Sequence, residues 1–200
     1  TGIHRGAQFV FEGQHLHRVV WAGAIEASLL RVAEDPRLLA VAAQLLGSQE
    51  VVQLLNQCHF KLPGDGVAFA WHQDSQNRHY GTPDWTDVNG RGSFVQSILA
   101  VDPTPAESGP LEVYPGSCQA GHLGLSGDEA EIPFDPSQRE VLLLPAGAVV
   151  FFGPYTIHGS GPNRSPRPRR VLINGYAAPG ANRFAYPGSG TGRTLQAGAS

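Results

Sequence analysis

Glycine and proline interrupt this chain so often that no long uniform element fits it. The 200 residues include 25 glycines and 16 prolines, which separate short apolar runs. Such punctuation is typical of short strands joined by tight turns and argues against a helical bundle. Seven or eight short strands are expected after residue 50. They predict a mainly β fold, a double-stranded β-helix (the jelly roll of cupins), with flanking helices.

The flanking helices are expected before the β region. Residues 25–33 look helical, and a second helix follows, with Asp35-Pro36 at its start and Gly47 at its end. Residues 1–24 indicate no firm element. The length suits one domain, which we divide into a helical N-terminal part (about 1–50), a jelly-roll core (about 51–178) and a C-terminal tail with little to bury (179–200).

Composition narrows the functional classes. The net charge of −3 and the pI near 6.2 give no general attraction to nucleic acid. No apolar stretch is long enough to cross a membrane, and no signal peptide is recognisable, so we expect a cytoplasmic protein. The two cysteines have no metal-binding spacing and suit a reducing compartment. The chain has no methionine, even at position 1, and we expect segments of the gene product to be missing from it. The oligomeric state is left open.

A histidine and an aspartate stand two residues apart at the end of an apolar run, as His72 and Asp74. Side chains at positions i and i+2 of an extended strand leave the same face, so both would point into the space that the strand lines. This pair could bind a metal ion, although the spacing alone is weak evidence.

The expected third ligand is His158, which closes another apolar β-like run. Two histidines and one carboxylate on one side of a metal leave three positions open, as in non-haem Fe(II) oxygenases. Eleven residues later, Arg169 offers a planar fork for a dicarboxylate co-substrate. A purely structural hydrogen bond between His72 and Asp74 is the alternative.

Four motifs in order resemble the phytanoyl-CoA dioxygenase family of Fe(II)/2-oxoglutarate oxygenases, in the branch that includes ectoine hydroxylase. They cover most of residues 51–178. The segments are Trp71-His72-Gln73-Asp74, residues 109–117, residues 145–152, and His158-Gly159-Ser160-Gly161 followed by Arg169.

The resemblance implies the cofactors and the site. Fe(II) would bind to His72, Asp74 and His158, with 2-oxoglutarate and O2 as co-substrates. Arg169, at the family's offset from the distal histidine, would bind the 2-oxoglutarate carboxylate, although Arg170 is a competitor. Further 2-oxoglutarate contacts are implied at Ser160, at Lys61 and, by likeness to ectoine hydroxylase, at Ser97. Related halogenases have glycine or alanine in place of Asp74, so a carboxylate there implies oxygen transfer to a small-molecule substrate.

The loop at residues 75–91 is expected to be a substrate lid, because long polar loops beside ligands are commonly functional. It lacks the tryptophan that the ectoine enzyme carries four residues after its aspartate, which makes ectoine a doubtful substrate. His79 in this loop could contact substrate or solvent. Other histidines are expected to have structural or surface roles: His15, His17, His59 and His122.

Two other functions remain open at this point. A jelly roll can be a non-catalytic ligand-binding module, or a cupin-type metalloenzyme with a different ligand set. Neither would need Arg169 and Ser160 at fixed offsets from His158. Formation of succinate would distinguish an active dioxygenase from both.

Overall fold

Strands dominate the protein, and its α-helices are confined to a segment near the start. The computed structural model describes residues 1–125, 127–128, 131–185 and 192–198. The α-helices are α1 (Ala27–Ala33) and α2 (Pro36–Leu46), with short 3-10 helices at Ala22–Ala24, Asp74–Arg78, Ala106–Ser108, Ser117–Ala120 and Pro136–Gln138. The strands are β1 (Gly2–His4), β2 (Ala7–Glu12), β3 (His15–Val20), β4 (Glu50–Lys61), β5 (Phe69–His72), β6 (Phe94–Ala100), β7 (Leu111–Val113), β8 (Glu140–Leu142), β9 (Val149–Phe152), β10 (His158–Ser160), β11 (Arg169–Ala177) and β12 (Arg193–Gln196).

The strands form two antiparallel sheets. The large sheet has the order β1-β2-β3-β4-β11-β6-β9, with β12 also paired to β4, and the small sheet has the order β5-β10-β7-β8. From β4 to β11 the chain passes repeatedly from one sheet to the other, and strands distant in sequence become neighbours. This arrangement is the double-stranded β-helix that the sequence predicted, and the fold class is confirmed.

Apolar side chains of both sheets pack together in the space between them. Leu111 of the small sheet meets residues from β6, β9 and β11 of the large sheet. Alternating positions of each strand supply this layer because successive strand residues point to opposite faces. The buried members of the cluster are Ile98, Leu111, Phe152, Val171 and Ile173.

The helices cover the outer face of the large sheet, as expected. Asp35 caps α2 by accepting a hydrogen bond from the Arg37 backbone amide at 2.9 Å, and Gly47 ends the helix at φ +69°. The buried Asn56 side chain donates to the Leu29 carbonyl and to Asn174, and accepts from the Gly23 amide. Among the described residues, no helix is both long enough and apolar enough to cross a membrane.

Two assignments at the ends of the chain were wrong. The region expected to be a helical N-terminal part begins instead with β1, β2 and β3, and β3 pairs with residues 57–59 of β4. The expected C-terminal tail contains β12, which pairs with residues 50–53 of the same strand. Both segments therefore extend the large sheet. Residues 186–191 and 199–200 of the expected tail lie outside the described residues.

Gly109 lies just before β7 and packs against Gly161, which lies just after β10. It provides a test of the packing between these two connections. Its φ is +66°, and an added Cβ would lie 2.2 Å from the Gly161 carbonyl oxygen. Gly116 has a similar φ of +78° but open space around it. Left-handed backbone costs a non-glycine residue roughly 1–2 kcal/mol. We expect Gly116→Ala to lose about that much unfolding free energy in urea titrations and Gly109→Ala at least about 3 kcal/mol. Equal losses would contradict a steric role for Gly109.

Candidate metal centre and cavity

Two histidines meet because their strands are paired in register. His158 of β10 lies directly opposite His72 of β5, and their ring centroids are 4.2 Å apart. Asp74 follows one residue after the end of β5, at the start of a 3-10 helix. One potential ligand atom from each of the three side chains lies within 4.8 Å of the others. The structure thus brings together the three side chains that the sequence analysis selected.

Each histidine ring is oriented by a backbone carbonyl two residues earlier. Nδ1 of His72 lies 2.8 Å from the Ala70 oxygen, and Nδ1 of His158 lies 2.9 Å from the Thr156 oxygen. Since a carbonyl only accepts, each Nδ1 carries the proton and leaves Nε2 as the ligand atom. Burial, followed by the proximity of the His72 ring, lowers the pKa of His158 to about 4, so the His158 ring is neutral at pH 7.

Asp74 is buried, and its Oδ2 atom has no hydrogen-bond partner among the described residues. Burying an unpaired carboxylate oxygen is unfavourable unless a cation or a hydrogen-bond donor contacts it. Between the ligands, the buried Gln73 side chain donates to the Gly121 and Tyr155 carbonyls and accepts from the Leu123 amide. The two imidazoles of His72 and His158 and the carboxylate of Asp74 together fit a borderline divalent ion such as Fe(II).

The buried Arg169 guanidinium lines the same cavity as the three ligands. It makes no hydrogen bond or ion pair with the described residues, and its buried Nε is unsatisfied. Burial lowers the pKa of Arg169 only to about 10, so the group stays charged at pH 7. An unpaired cation in a cavity is strongly unfavourable unless an anion binds there.

Lys61 lies directly opposite Arg169 in the β4–β11 pairing and is fully buried. Its ammonium donates to the Ser160 hydroxyl at 2.7 Å, to the Gly109 carbonyl at 3.3 Å and to the Gly161 carbonyl. Because the Ser160 oxygen accepts from Lys61, its own proton can be donated into the cavity that Ser160 lines. Burial, followed by the charge of Arg169, lowers the pKa of Lys61 to about 7.

Arg170, the competitor of Arg169, points to the surface. It forms a bidentate pair with Asp102, from Nε to Oδ2 and from Nη2 to Oδ1, both at 2.8 Å. A guanidinium already paired in this way is not available to a carboxylate in the cavity.

The assignment of Ser97 to the site was wrong. Gln96 and Ile98 line the cavity, and Ser97 between them points to the other face of β6, where its hydroxyl donates to the Asn174 carbonyl at 3.4 Å. Strand alternation explains the difference, since a shift of one residue exchanges the two faces. Gln96 therefore takes the place in the cavity that had been given to Ser97.

The cavity has a volume of about 560 Å³ and lies between the two sheets. This volume falls within the range of roughly 300–1,000 Å³ that is typical of small-molecule sites. Besides the groups already described, its polar lining contains Arg78, from the segment expected to be a lid, and three residues that the sequence analysis did not select: Gln8, Arg18 and Gln57.

Of three further histidines, one lines the cavity and two do not. His59, expected to be structural, instead lines the cavity and stacks on Phe69 at 5.0 Å. Burial, followed by the charge of Arg18, holds the pKa of His59 well below its usual value, so the ring is neutral. His79 does not line the cavity but contacts Asp84 at 3.3 Å and stacks on Phe184, whereas His122 contacts the Ser75 hydroxyl at 2.7 Å.

The segment expected to be a lid is tied into the protein over most of its length. Trp85 is buried in the main apolar cluster and donates to the Gly92 carbonyl, and Ser93 is fully buried and bonded to Asp87. Residues 76–78, in the 3-10 helix after Asp74, line the cavity. The part of this segment beside the cavity is therefore much shorter than the predicted lid.

A sequence profile of the phytanoyl-CoA dioxygenase family (PhyH) matches residues 5–171. A "probable alpha-ketoglutarate-dependent hypophosphite dioxygenase" of Stutzerimonas stutzeri is 30% identical over 75% of the chain and 58% of its own length. The L-proline trans-4-hydroxylase of Streptomyces griseoviridis is 31% identical over 73% of the chain and 61% of its own length. The chain thus spans less than two thirds of these relatives.

The fold also matches a solved structure. The crystal structure of EctD from S. alaskensis with 2-oxoglutarate and 5-hydroxyectoine superposes with a TM-score of 0.71 and 26% identity. The match covers 92% of this chain and 65% of that one. The jelly-roll core is therefore shared in its overall course with EctD.

The metal centre can be tested by removing one ligand at a time. Asp74→Ala and His158→Ala each delete one of three protein ligands, so bound iron should fall below about a tenth of the wild-type amount after anaerobic loading. His15→Ala, which removes an exposed histidine, is the matched control and should bind iron as the wild type does. Full iron occupancy in either ligand variant would contradict this assignment.

Proposed function

Because the chain belongs to the phytanoyl-CoA dioxygenase family, we propose that it is an Fe(II)- and 2-oxoglutarate-dependent dioxygenase. It would hydroxylate, or otherwise oxidise, an unactivated C–H bond of a small metabolite and release succinate and CO2. One observation carries this proposal: the buried Arg169, which has no partner among the described residues, lines the same cavity as His72, Asp74 and His158.

The three ligands would hold Fe(II) from one side and leave the other side to co-substrates. When bound, the iron supplies the activation of O2 that is coupled to decarboxylation of 2-oxoglutarate. The histidine rings, fixed by the Ala70 and Thr156 carbonyls, keep the ligand atoms in place. The sheets around the cavity exclude bulk water from the reacting groups.

Arg169 would bind the distal carboxylate of 2-oxoglutarate through its planar fork, and Ser160 would donate a further hydrogen bond. Lys61 acts indirectly here, since its donors are directed to Ser160 and to two backbone carbonyls. Like charges directly opposite each other destabilise a sheet, and a dianion beside Arg169 would offset the repulsion from Lys61. The charges of this corner of the cavity therefore favour a dicarboxylate.

The substrate would be a small polar molecule. Relatives are named for hypophosphite and L-proline, and an EctD structure contains 5-hydroxyectoine. The cavity of about 560 Å³ has glutamine and arginine side chains in its lining, which suit such compounds better than a long acyl chain. A cytoplasmic location stays a prediction. The absence of a nucleic-acid partner also stays a prediction, which the net charge of −3 supports.

A non-catalytic ligand-binding module and a cupin-type enzyme are the alternative functions. A cupin-type enzyme with a different ligand set would leave the buried charge of Arg169 without a role. Oxygen-dependent formation of succinate from 2-oxoglutarate, with iron present, would support the dioxygenase. A protein that binds iron and 2-oxoglutarate but forms no succinate with any tested substrate would instead support the module.

The co-substrate assignment predicts a difference between adjacent arginines. Arg169→Gln should raise the KM for 2-oxoglutarate by about tenfold to 150-fold, because a charge-assisted contact is worth on the order of 1.5–3 kcal/mol. Arg170→Gln removes the same charge at the surface, where Asp102 is its partner, and should change the KM by less than about twofold. Greater sensitivity at Arg170 would show that the cavity assignment is wrong.

The carboxylate of Asp74 also predicts the product. Since Asp74 would fill the coordination position that a halide needs, the expected products are hydroxylated, desaturated or cyclised and not chlorinated. Amino acids, cyclic amino-acid derivatives, phosphorus oxyanions, terpenoid acids and acyl-CoAs can be tested for substrate-dependent succinate release in chloride buffer, with products identified by mass spectrometry. A chlorinated product would contradict the role of Asp74, and stimulation by acyl-CoAs alone would contradict a small polar substrate.

A further inference from the structure

We propose that Arg18 and Arg78, together with His59, form a second anion site in the cavity, which binds an oxyanion group of the substrate. We call these three residues the oxyanion site. That the bound anion is a substrate rests on the proposed function, whereas the anion site itself depends only on the geometry described below.

The N-terminal hairpin, formed by β2 and β3, brings Arg18 into the cavity. Arg18 of β3 pairs directly with His59 of β4, and both side chains line the cavity. Arg169 is on β11, on the other side of β4. Along β4, Arg18 is in register with His59, whereas Arg169 is in register with Lys61, two residues further on. The oxyanion site is therefore built on a different strand and at a different register position from Arg169 and Lys61.

Two polar atoms of the oxyanion site have no protein partner. Nε of Arg18 and Nε2 of His59 are both buried and make no hydrogen bond with the described residues. Buried polar atoms in native proteins are nearly always satisfied, so a ligand is expected to complete these two. The pattern is the same as at Arg169 and Asp74, where the missing partners are the co-substrate and the metal.

Arg78 is positioned from the opposite side of the cavity. It is buried and lies over the Phe94 ring, with its guanidinium carbon 4.7 Å from the ring centroid. This stacking fixes the plane of the fork while Arg78 still lines the cavity. Its charge also acts on Arg18, since burial and then Arg78 lower the pKa of Arg18. Arg18 and Arg78 thus both contribute to the lining of one cavity.

Formal charge shows what kind of ligand is missing. Among the described residues that line the cavity, the charged side chains are Arg18, Arg78, Arg169 and one carboxylate, Asp74. Fe(II) and Arg169 are balanced by Asp74 and the dianion 2-oxoglutarate. The charge of Arg18 then has no counter-ion among the described residues that line the cavity. A negatively charged group on the substrate would balance this charge, whereas a cationic substrate would add to the repulsion.

The shared chemistry of the ligand is an oxyanion on a small molecule. A carboxylate is planar and matches the fork of one guanidinium, whereas a phosphonate is tetrahedral and can contact both arginines at once. Gln8 and Gln57 also line the cavity and offer amide donors beside this site. The rest of the substrate would extend from the oxyanion towards the metal ligands.

For the test, the protein is loaded with Fe(II) under anaerobic conditions and saturated with 2-oxoglutarate. It is then titrated with each of three probes: cyclopentanecarboxylate, its neutral amide and methylphosphonate. Calorimetry should show at least one anion binding about tenfold or more tightly than the amide. Arg18→Gln should weaken that anion by about tenfold to 100-fold. Arg91→Gln removes an exposed arginine outside the cavity and should leave its affinity unchanged. The tighter anion identifies the preferred oxyanion geometry.

Equal binding of the anions and the amide would overturn the inference, and so would an equal loss in Arg18→Gln and Arg91→Gln. Arg18→Lys and Arg78→Lys keep the charge but remove the fork, and they replace Arg18→Gln if its thermal melting shows that it does not fold. The loading step tests the proposed function separately. If no absorption band of an Fe(II)–2-oxoglutarate complex forms, the same titration is made on the Fe(II) protein alone.

Discussion

The antiparallel pairing of β4 with β11 is the constraint on which the cavity depends. This pairing sets Lys61 opposite Arg169 and His59 opposite Val171, so that alternate positions of two central strands supply one wall of the cavity. The wall carries the functional polar groups, whereas Asn56 and Asn174 on the other face bond to each other and help to hold the helices. A slip of one residue would exchange the two faces and turn Lys61 or Arg169 away from Ser160, in the part of the cavity proposed to bind 2-oxoglutarate.

The sequence predicted the parts of the fold that depend on local patterns. Turn residues, strand alternation and the cap at Asp35 are local signals, and they predicted both helices and a series of short strands after residue 50. Arg169 could be separated from Arg170 only by its offset from His158, and the structure adds the physical reason, which is the pairing of Arg170 with Asp102. Ser97 was misplaced because resemblance alone does not identify which face of a strand points inward.

The N-terminal hairpin and β12 could not be predicted because their stability comes from strands far away in sequence. β2 and β3 are short and mixed in polarity, and β3 gains its partner only through residues 57–59 of β4. The contribution of Arg18 and His59 to the cavity depends on this long-range pairing. A sequence reading that treats residues 1–24 as undefined therefore misses Arg18, one of the four charged side chains among the described residues that line the cavity, although it finds the complete metal centre.

The opposition of Lys61 and Arg169 also links folding to metabolism. Two buried cations facing each other reduce the stability of the protein when no anion is bound, and a dicarboxylate between Arg169 and Ser160 removes part of that cost. A ligand that binds the folded protein and not the unfolded chain stabilises it in proportion to the logarithm of its concentration above Kd. With 2-oxoglutarate as the proposed co-substrate, the lifetime of this protein in a cell would rise and fall with the supply of 2-oxoglutarate.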